Sequence, residues 1–220
     1  MASLGDPSDL AKTGAHARTF LYPPDIVKIQ GGYALLIGSG DREKPFDKIM
    51  QNRFYMIKDT GGTAVIRCEG DESSCDSDLI DATNSAVAPD TAKGWRIKLG
   101  SGEKTVGSAI TQAGATHFPT HQPADISGSE CSQTLGTARI YTVNNKNAAP
   151  FIPGSDRSKI IPGGGFPPSP TRAAVQLTYT HNGQPVTETH SIVHSGTHVA
   201  GIDILPTKRR FTYWYIEGLD

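Results

Sequence analysis

Glycine and proline punctuate this chain so often that a long helix has little room between them. The 220 residues include 24 Gly and 15 Pro, residues that either permit left-handed turns or remove an amide donor. That spacing favours many short strands, and the expectation is an all-β chain. The apolar runs agree. Residues 33 to 37 are short, apolar and bounded by Gly32 and Gly38, as a buried strand would be. Residues 53 to 58 put Phe54, Met56 and Lys58 on one face and Arg53, Tyr55 and Ile57 on the other. Bulky groups on both faces of a strand suit stacked sheets.

Further strands are predicted at 94 to 99, 104 to 111, 115 to 119 and 137 to 143, each set off by Gly, Pro or Asn. Short strands recurring about every ten residues suit a sandwich, a barrel or propeller blades. Residues 79 to 88 are the one predicted helical turn, ended by Pro89, and residues 150 to 170 are so rich in Pro and Gly that they read as an irregular connection. Beyond it, two β-rich runs at 173 to 180 and 186 to 194 flank Asn182-Gly183, the strongest hairpin signal in the chain. Residues 209 to 216, with Tyr213, Trp214 and Tyr215, read as a last strand. Residues 1 to 18 are polar without periodicity and read as a frayed start to a β domain over 19 to 220.

The formal net charge is −1 and no long Lys/Arg run occurs, so the electrostatic footprint of a nucleic-acid or anionic-membrane binder is missing. The first twelve residues lack the apolar core of a signal peptide, and no membrane span is expected. Cys68 and Cys75 flank a short polar loop, and Cys131 has no evident partner. In an oxidising compartment a Cys68–Cys75 bridge would stabilise by about 2 to 3 kcal/mol. In a reducing one the two are plain thiols, and spacing leaves both readings open.

Several constellations invite a chemical reading and fail it. His190, His194 and His198 recur at every fourth position, but the sequence around them is β-rich, and strand residues four apart are separated by about 13 Å, too far to share an ion without a bend. His117 and His121 flank Pro119 and read as partly exposed loop histidines. Asp71, Glu72, Asp76, Asp78 and Asp81 lack the alternating carboxylates and central glycine of a calcium loop and read as a solvated acidic turn. Ser39 is not at the centre of Gly-x-Ser-x-Gly, and Gly38 to Glu43 does not fit a dinucleotide fingerprint. Asp41, Arg42 and Glu43 read instead as groups that pair with one another and cap the turn after a strand. No nucleophile, acid/base pair or phosphate loop emerges, and a non-enzymatic protein is expected.

Taken in order, Phe20-Leu21-Tyr22-Pro23-Pro24-Asp25, Gly38-Ser39-Gly40-Asp41-Arg42-Glu43, Gln51 to Asp59, Leu135-Gly136-Thr137-Ala138-Arg139-Ile140-Tyr141, the glycine and proline run at 163 to 170 and Tyr213-Trp214-Tyr215 resemble the C-terminal end of the PilC/PilY family of type IV pilus biogenesis factors and tip-associated adhesins. The resemblance runs from about residue 19 to the end. Its most specific markers are Gly38, Gly40, Asp41, Arg42, Glu43, Asn52 and Arg53.

The resemblance implies a partial, quinoprotein-like β-propeller, the last few blades of a longer chain, with long Pro/Gly-rich loops. It implies a role in pilus assembly, twitching motility and surface adhesion at the cell surface, pilus tip or periplasm. The implied partners are minor pilins, host or abiotic surfaces and the missing propeller blades. The family's Asp-rich calcium loop is not found here, so no cofactor and no metal ligand is carried over, while export implies a Cys68–Cys75 disulfide. Two other readings compete. One is a fragment of a quinone-dependent dehydrogenase propeller, opposed by the lack of a vicinal disulfide and of paired tryptophans. The other is a secreted carbohydrate-binding β domain, motivated by Trp95, Trp214 and the tyrosines.

Overall fold

A computed structural model describes residues 18–61, 79–86, 93–124, 135–196 and 198–199. Among the described residues every regular element is a β-strand, as the Gly/Pro spacing predicts. The first sheet contains β1 (Asp25–Ile29), β2 (Gly32–Gly38), β3 (Arg53–Asp59), β4 (Ile80–Asp81) and β5 (Gly94–Lys98) in the order β1-β2-β3-β5-β4. All of its neighbours are antiparallel except β4, which runs parallel to β5. The turn from β1 into β2 closes on Gly31 at φ +81°, a backbone state that glycine adopts without strain.

The second sheet contains β6 (Lys104–Thr105), β7 (Ile110–Gln112), β8 (Ala115–Gln122), β9 (Thr137–Asn144) and β10 (Ser158–Ile161). Its path is β10-β9-β8-β6, with β7 also pairing β8. The strand predicted across 104 to 111 is therefore broken. Its register slips by two residues between Thr105↔Thr120 and Ile110↔His117. The cause lies across the ladder. Pro119 has no N–H to offer a neighbour, and its carbonyl accepts from Val106 N at 3.2 Å. Gly107 is pressed between the Pro119 ring and Ser169, whose hydroxyl takes the next free amide, Ser108 N, at 3.0 Å.

One core serves both sheets. Leu36, Phe54, Met56, Trp95 and Ile97 come from the first, Phe118 and Val143 from the second, and all are buried. Phe118 stacks on Phe54 at 3.7 Å between centroids and on Tyr141, its cross-strand neighbour, at 4.7 Å. Trp95 lies in the same core and spends its indole N–H on Asn145 O at 3.1 Å, which fixes the loop after β9.

A third unit follows the Pro/Gly-rich connection: β11 (Thr171–His181), β12 (Gln184–Ser195) and β13 (His198–Val199). Its turn is the predicted Asn182-Gly183, with φ of +51° and +76°, the left-handed pair that a two-residue type I′ hairpin requires. Its base is held by buried Val193, by Ser195 Oγ donating to Pro168 O at 2.6 Å and by Arg172 Nη2 donating to Thr111 O.

Further expectations are corrected. The helix predicted over 79 to 88 is not formed in its described part. Leu79 and Ala82 are both buried, a spacing a helix also offers, but Ala82 N donates to Arg96 O and Asp81 Oδ1 caps Thr83 N, so the backbone joins the sheet edge. The connection at 150 to 170 is not wholly irregular, because Ser158–Ile161 pairs with β9 as an edge strand too short to signal itself. The strand predicted at 209 to 216, the cysteines 68, 75 and 131, and the acidic positions 71 to 78 lie outside the described residues. Arg18, the last residue of the predicted frayed start, is buried and donates through Nε to Gln51 O at 2.9 Å.

Candidate functional site

The sequence markers converge on one junction, where the end of β2, the start of β3 and the short β6 meet. Ser39 is fully buried. Its amide donates to Arg53 O at 2.8 Å, its hydroxyl accepts from Arg53 N at 2.9 Å, and its carbonyl accepts from Thr105 N at 3.1 Å. Asn52 is buried too and passes its amide donor to Glu103 O at 3.1 Å. The serine that superficially suggested a nucleophile is thus tied to backbone on both sides.

The flanking glycines are required by closeness. A Cβ on Gly38 would lie 2.2 Å from Thr105 Oγ1, and one on Gly40 would lie 2.3 Å from Thr105 O. The second clash is with backbone, which cannot rotate away. Gly40→Ala is expected to push β6 off the junction and cost about 2 kcal/mol, read as a lowered denaturant midpoint. An unchanged midpoint would mean that the two sheets do not meet as described.

The charged turn after Gly40 is wrapped around a single ammonium. Lys104 is buried, and its Nζ donates to the carbonyls of Lys44 at 2.6 Å, Pro45 at 3.1 Å and Asp47 at 3.0 Å. Burial pushes its pKa below the usual lysine value, opposed by the carboxylates of Asp47 and Asp41. Of the three groups expected to pair and cap, Asp41 does cap, accepting from Glu43 N at 2.9 Å. Arg42 turns elsewhere and lies 5.4 Å over the Phe166 ring. Arg53 is fully buried at the start of β3.

Behind β6 sits a buried polar cluster that the sequence did not reveal. Glu103 accepts from Gly100 N at 2.8 Å, Thr120 Oγ1 at 2.6 Å and Tyr141 OH at 3.3 Å, with Arg139 Nη1 at 3.8 Å. Burial, and then the Glu103 charge, push the Tyr141 phenol far above its ordinary value. The phenol stays protonated and donating, and the Glu103 side chain gathers three donors, so the cluster ties the turn before β6 to β8 and β9. Its members come from distant points of the chain and share no spacing that a sequence could show.

His117 and His121 are buried in β8, correcting their reading as exposed loop histidines. The imidazole of His117 meets Thr142 Oγ1 at 3.0 Å, and burial lowers its pKa to about 4. His121 Nε2 lies 2.8 Å from Leu135 O, and its ring packs on Phe166. A histidine held neutral when folded protonates first in the unfolded chain. Stability is therefore unaffected above about pH 6.5 and falls as pH drops from there toward about 4. Near pH 5 the expected loss is about 2 kcal/mol, seen as a lower unfolding free energy, and His117→Asn should flatten that slope. A slope that His117→Asn leaves unchanged would assign it to other groups.

The histidines of β12 are engaged locally: His190 Nε2 lies 3.4 Å from Glu188 Oε2, and His194 contacts Thr171 Oγ1 at 3.0 Å and Gly196 O at 3.2 Å. Among the described residues no group of three or more His, Cys, Asp or Glu side chains is placed to hold a metal. A broad depression of about 860 Å³ lies beside β10, with Arg139, Arg157 and Lys159 in its wall. Arg157 spends Nη1 on the carbonyls of Ala82 and Thr83. Trp95, a basis for the carbohydrate-binding reading, is fully buried and cannot stack on a sugar. Comparison with family models, curated proteins and solved structures finds no match to this chain.

Proposed function

We propose that the chain is a non-enzymatic part of a type IV pilus biogenesis factor or tip adhesin of the PilC/PilY kind, a partial β-propeller that supports pilus assembly, twitching motility and surface adhesion. The observation that carries this reading is the junction itself. Gly38, Gly40, Asp41, Asn52 and Arg53, five of the seven residues most distinctive of the resemblance, lie where two largely antiparallel meanders share a core: the glycines admit Thr105, Asp41 and Asn52 bond to backbone, and the Arg53 backbone bonds to Ser39. Adjacent propeller blades are meanders packed face to face in this way. The chain would supply the last blades, with the others completing the ring, and would work by contact with minor pilins and with host or abiotic surfaces.

Export to the cell surface would oxidise Cys68 and Cys75 to a disulfide. The deciding experiment removes the segment encoding this chain from the full-length gene. Loss of surface piliation, twitching and adhesion is the expected result, and unchanged values of all three would overturn the reading. The purified chain, mixed with pyrroloquinoline quinone and calcium, is expected to show no protein-bound quinone absorbance. A bound band would favour the dehydrogenase reading instead.

A further inference from the structure

The hairpin of β11 and β12 carries the least guarded edge among the described strands. Its two-residue turn makes His181 and Gln184 a pair that exchanges both backbone hydrogen bonds. Counting back along the ladder, the odd-numbered residues of β11 bond to β12. Arg172, Ala174, Gln176, Thr178 and Thr180 therefore aim their N–H and C=O groups outward. Pro185 fits this phase, because it sits opposite Thr180 in a pair that needs no N–H. No strand lies on that side of β11 among the described residues.

Other edges are blunted in familiar ways. Strand β1 is five residues long, follows Pro23-Pro24 and carries Asp25 and Lys28, and β10 is four residues long with Lys159 inside and Pro162 after it. Strand β11 runs eleven residues with no proline and no charge but Arg172. One of its faces presents Ala173, Val175, Leu177 and Tyr179 in line with Val186 and Ile192 of β12, and Leu177 and Tyr179 are exposed. Long, uncharged, open edges of this kind template strand addition.

We propose that the strand added there is β11 of a second copy of this chain. A two-fold axis through Gln176 pairs all eleven residues antiparallel. Gln176 meets its own counterpart, Ala174 the counterpart of Thr178, and Arg172 that of Thr180, so the outward-aimed amides and carbonyls of both copies face each other. On the other face Val175 meets the counterpart of Leu177, and Ala173 that of Tyr179, which doubles the apolar stripe at the centre of a four-stranded β12-β11-β11-β12 sheet, flanked on each β12 by the His190–Glu188 pair. The one charge on the strand faces a neutral threonine. This self-complementarity favours a second copy over an unrelated strand. An eleven-residue ladder is a small interface, at the weak and transient end of the size range, so association is expected only at high protein concentration.

Sedimentation equilibrium of the full 220-residue chain tests the proposal. The mass is expected to rise with concentration from 23.4 kDa toward twice that value. Gln176→Pro removes an outward N–H without touching the bonds to β12 and should hold the chain at the monomer mass with its circular dichroism unchanged. Because Cα atoms of such a pair lie about 5.5 Å apart, Gln176→Cys should give a covalent dimer on mild oxidation. Ala174→Cys, whose opposite is Thr178, should give no more than the parent chain. A parent whose mass stays at the monomer value at every concentration overturns the proposal. So does a dimer that survives Gln176→Pro, or equal cross-linking by the two cysteine variants.

Discussion

Replacing Phe118 by alanine is expected to lower the free energy of unfolding by about 3 to 5 kcal/mol, the largest loss of any single truncation considered. The ring is fully buried on β8 and stacked between Phe54 of the first sheet at 3.7 Å and Tyr141 of its own sheet at 4.7 Å. Truncation removes the transfer free energy of the ring and leaves a cavity whose walls cannot close. Phe54 is fixed by a strand bonded on both sides, and Tyr141 is tethered through its hydroxyl to Glu103. Loss of the two stacked contacts adds about 0.5 to 1.5 kcal/mol each to the area term. Denaturant unfolding followed by tryptophan fluorescence, to which buried Trp95 contributes, gives the number, with Phe118→Leu expected to cost less than half as much. A loss below about 1 kcal/mol, well outside the range for a buried ring, would mean that the two sheets do not meet through this ring. The paired-blade reading would lose its physical basis with it.

Much of this architecture is legible in the sequence because its signals are local. The apolar run between Gly32 and Gly38 and the two-faced strand at Arg53 form adjacent strands as their patterns require. Asn182-Gly183 makes the turn that its φ preferences demand. What could not be read depends on contacts distant in sequence. Lys104 looks like an ordinary strand lysine until residues 44 to 47 are folded over it. Glu103 looks solvated until Thr120 and Tyr141 arrive from β8 and β9. His117 and His121 read as loop residues in the sequence because proline usually signals a loop. Here Pro119 is tolerated in β8 because the neighbouring strand breaks opposite it. The Gly-Ser-Gly triplet could be excluded as a catalytic elbow from its spacing. Its actual reason, the close approach of Thr105, appears only in three dimensions.

Lys104→Met is expected to cost about 3 kcal/mol and to free the marker loop specifically. Methionine nearly matches the length of lysine but offers no donor, so the carbonyls of Lys44, Pro45 and Asp47 lose the group on which they converge. Charge-assisted bonds are roughly twice as strong as neutral ones. Their sum is reduced by the desolvation that lowers the Lys104 pKa, so the net loss stays well short of three full bonds. Lys104→Arg keeps the charge but spreads its donors over a planar fork, which cannot reproduce a three-way convergence on one nitrogen. It should recover less than half of the loss. Hydrogen exchange separates a local from a global effect. The amides of Glu43, Asp47 and Ile49, each bonded within the turn, should exchange at least about tenfold faster, equivalent to 1.4 kcal/mol of local opening. Amides in β2 and β3 should follow only the global change. Unchanged exchange in the turn would show that Lys104 does not hold it, and the distinctive Gly38 to Lys48 segment would then need another reason for its charge.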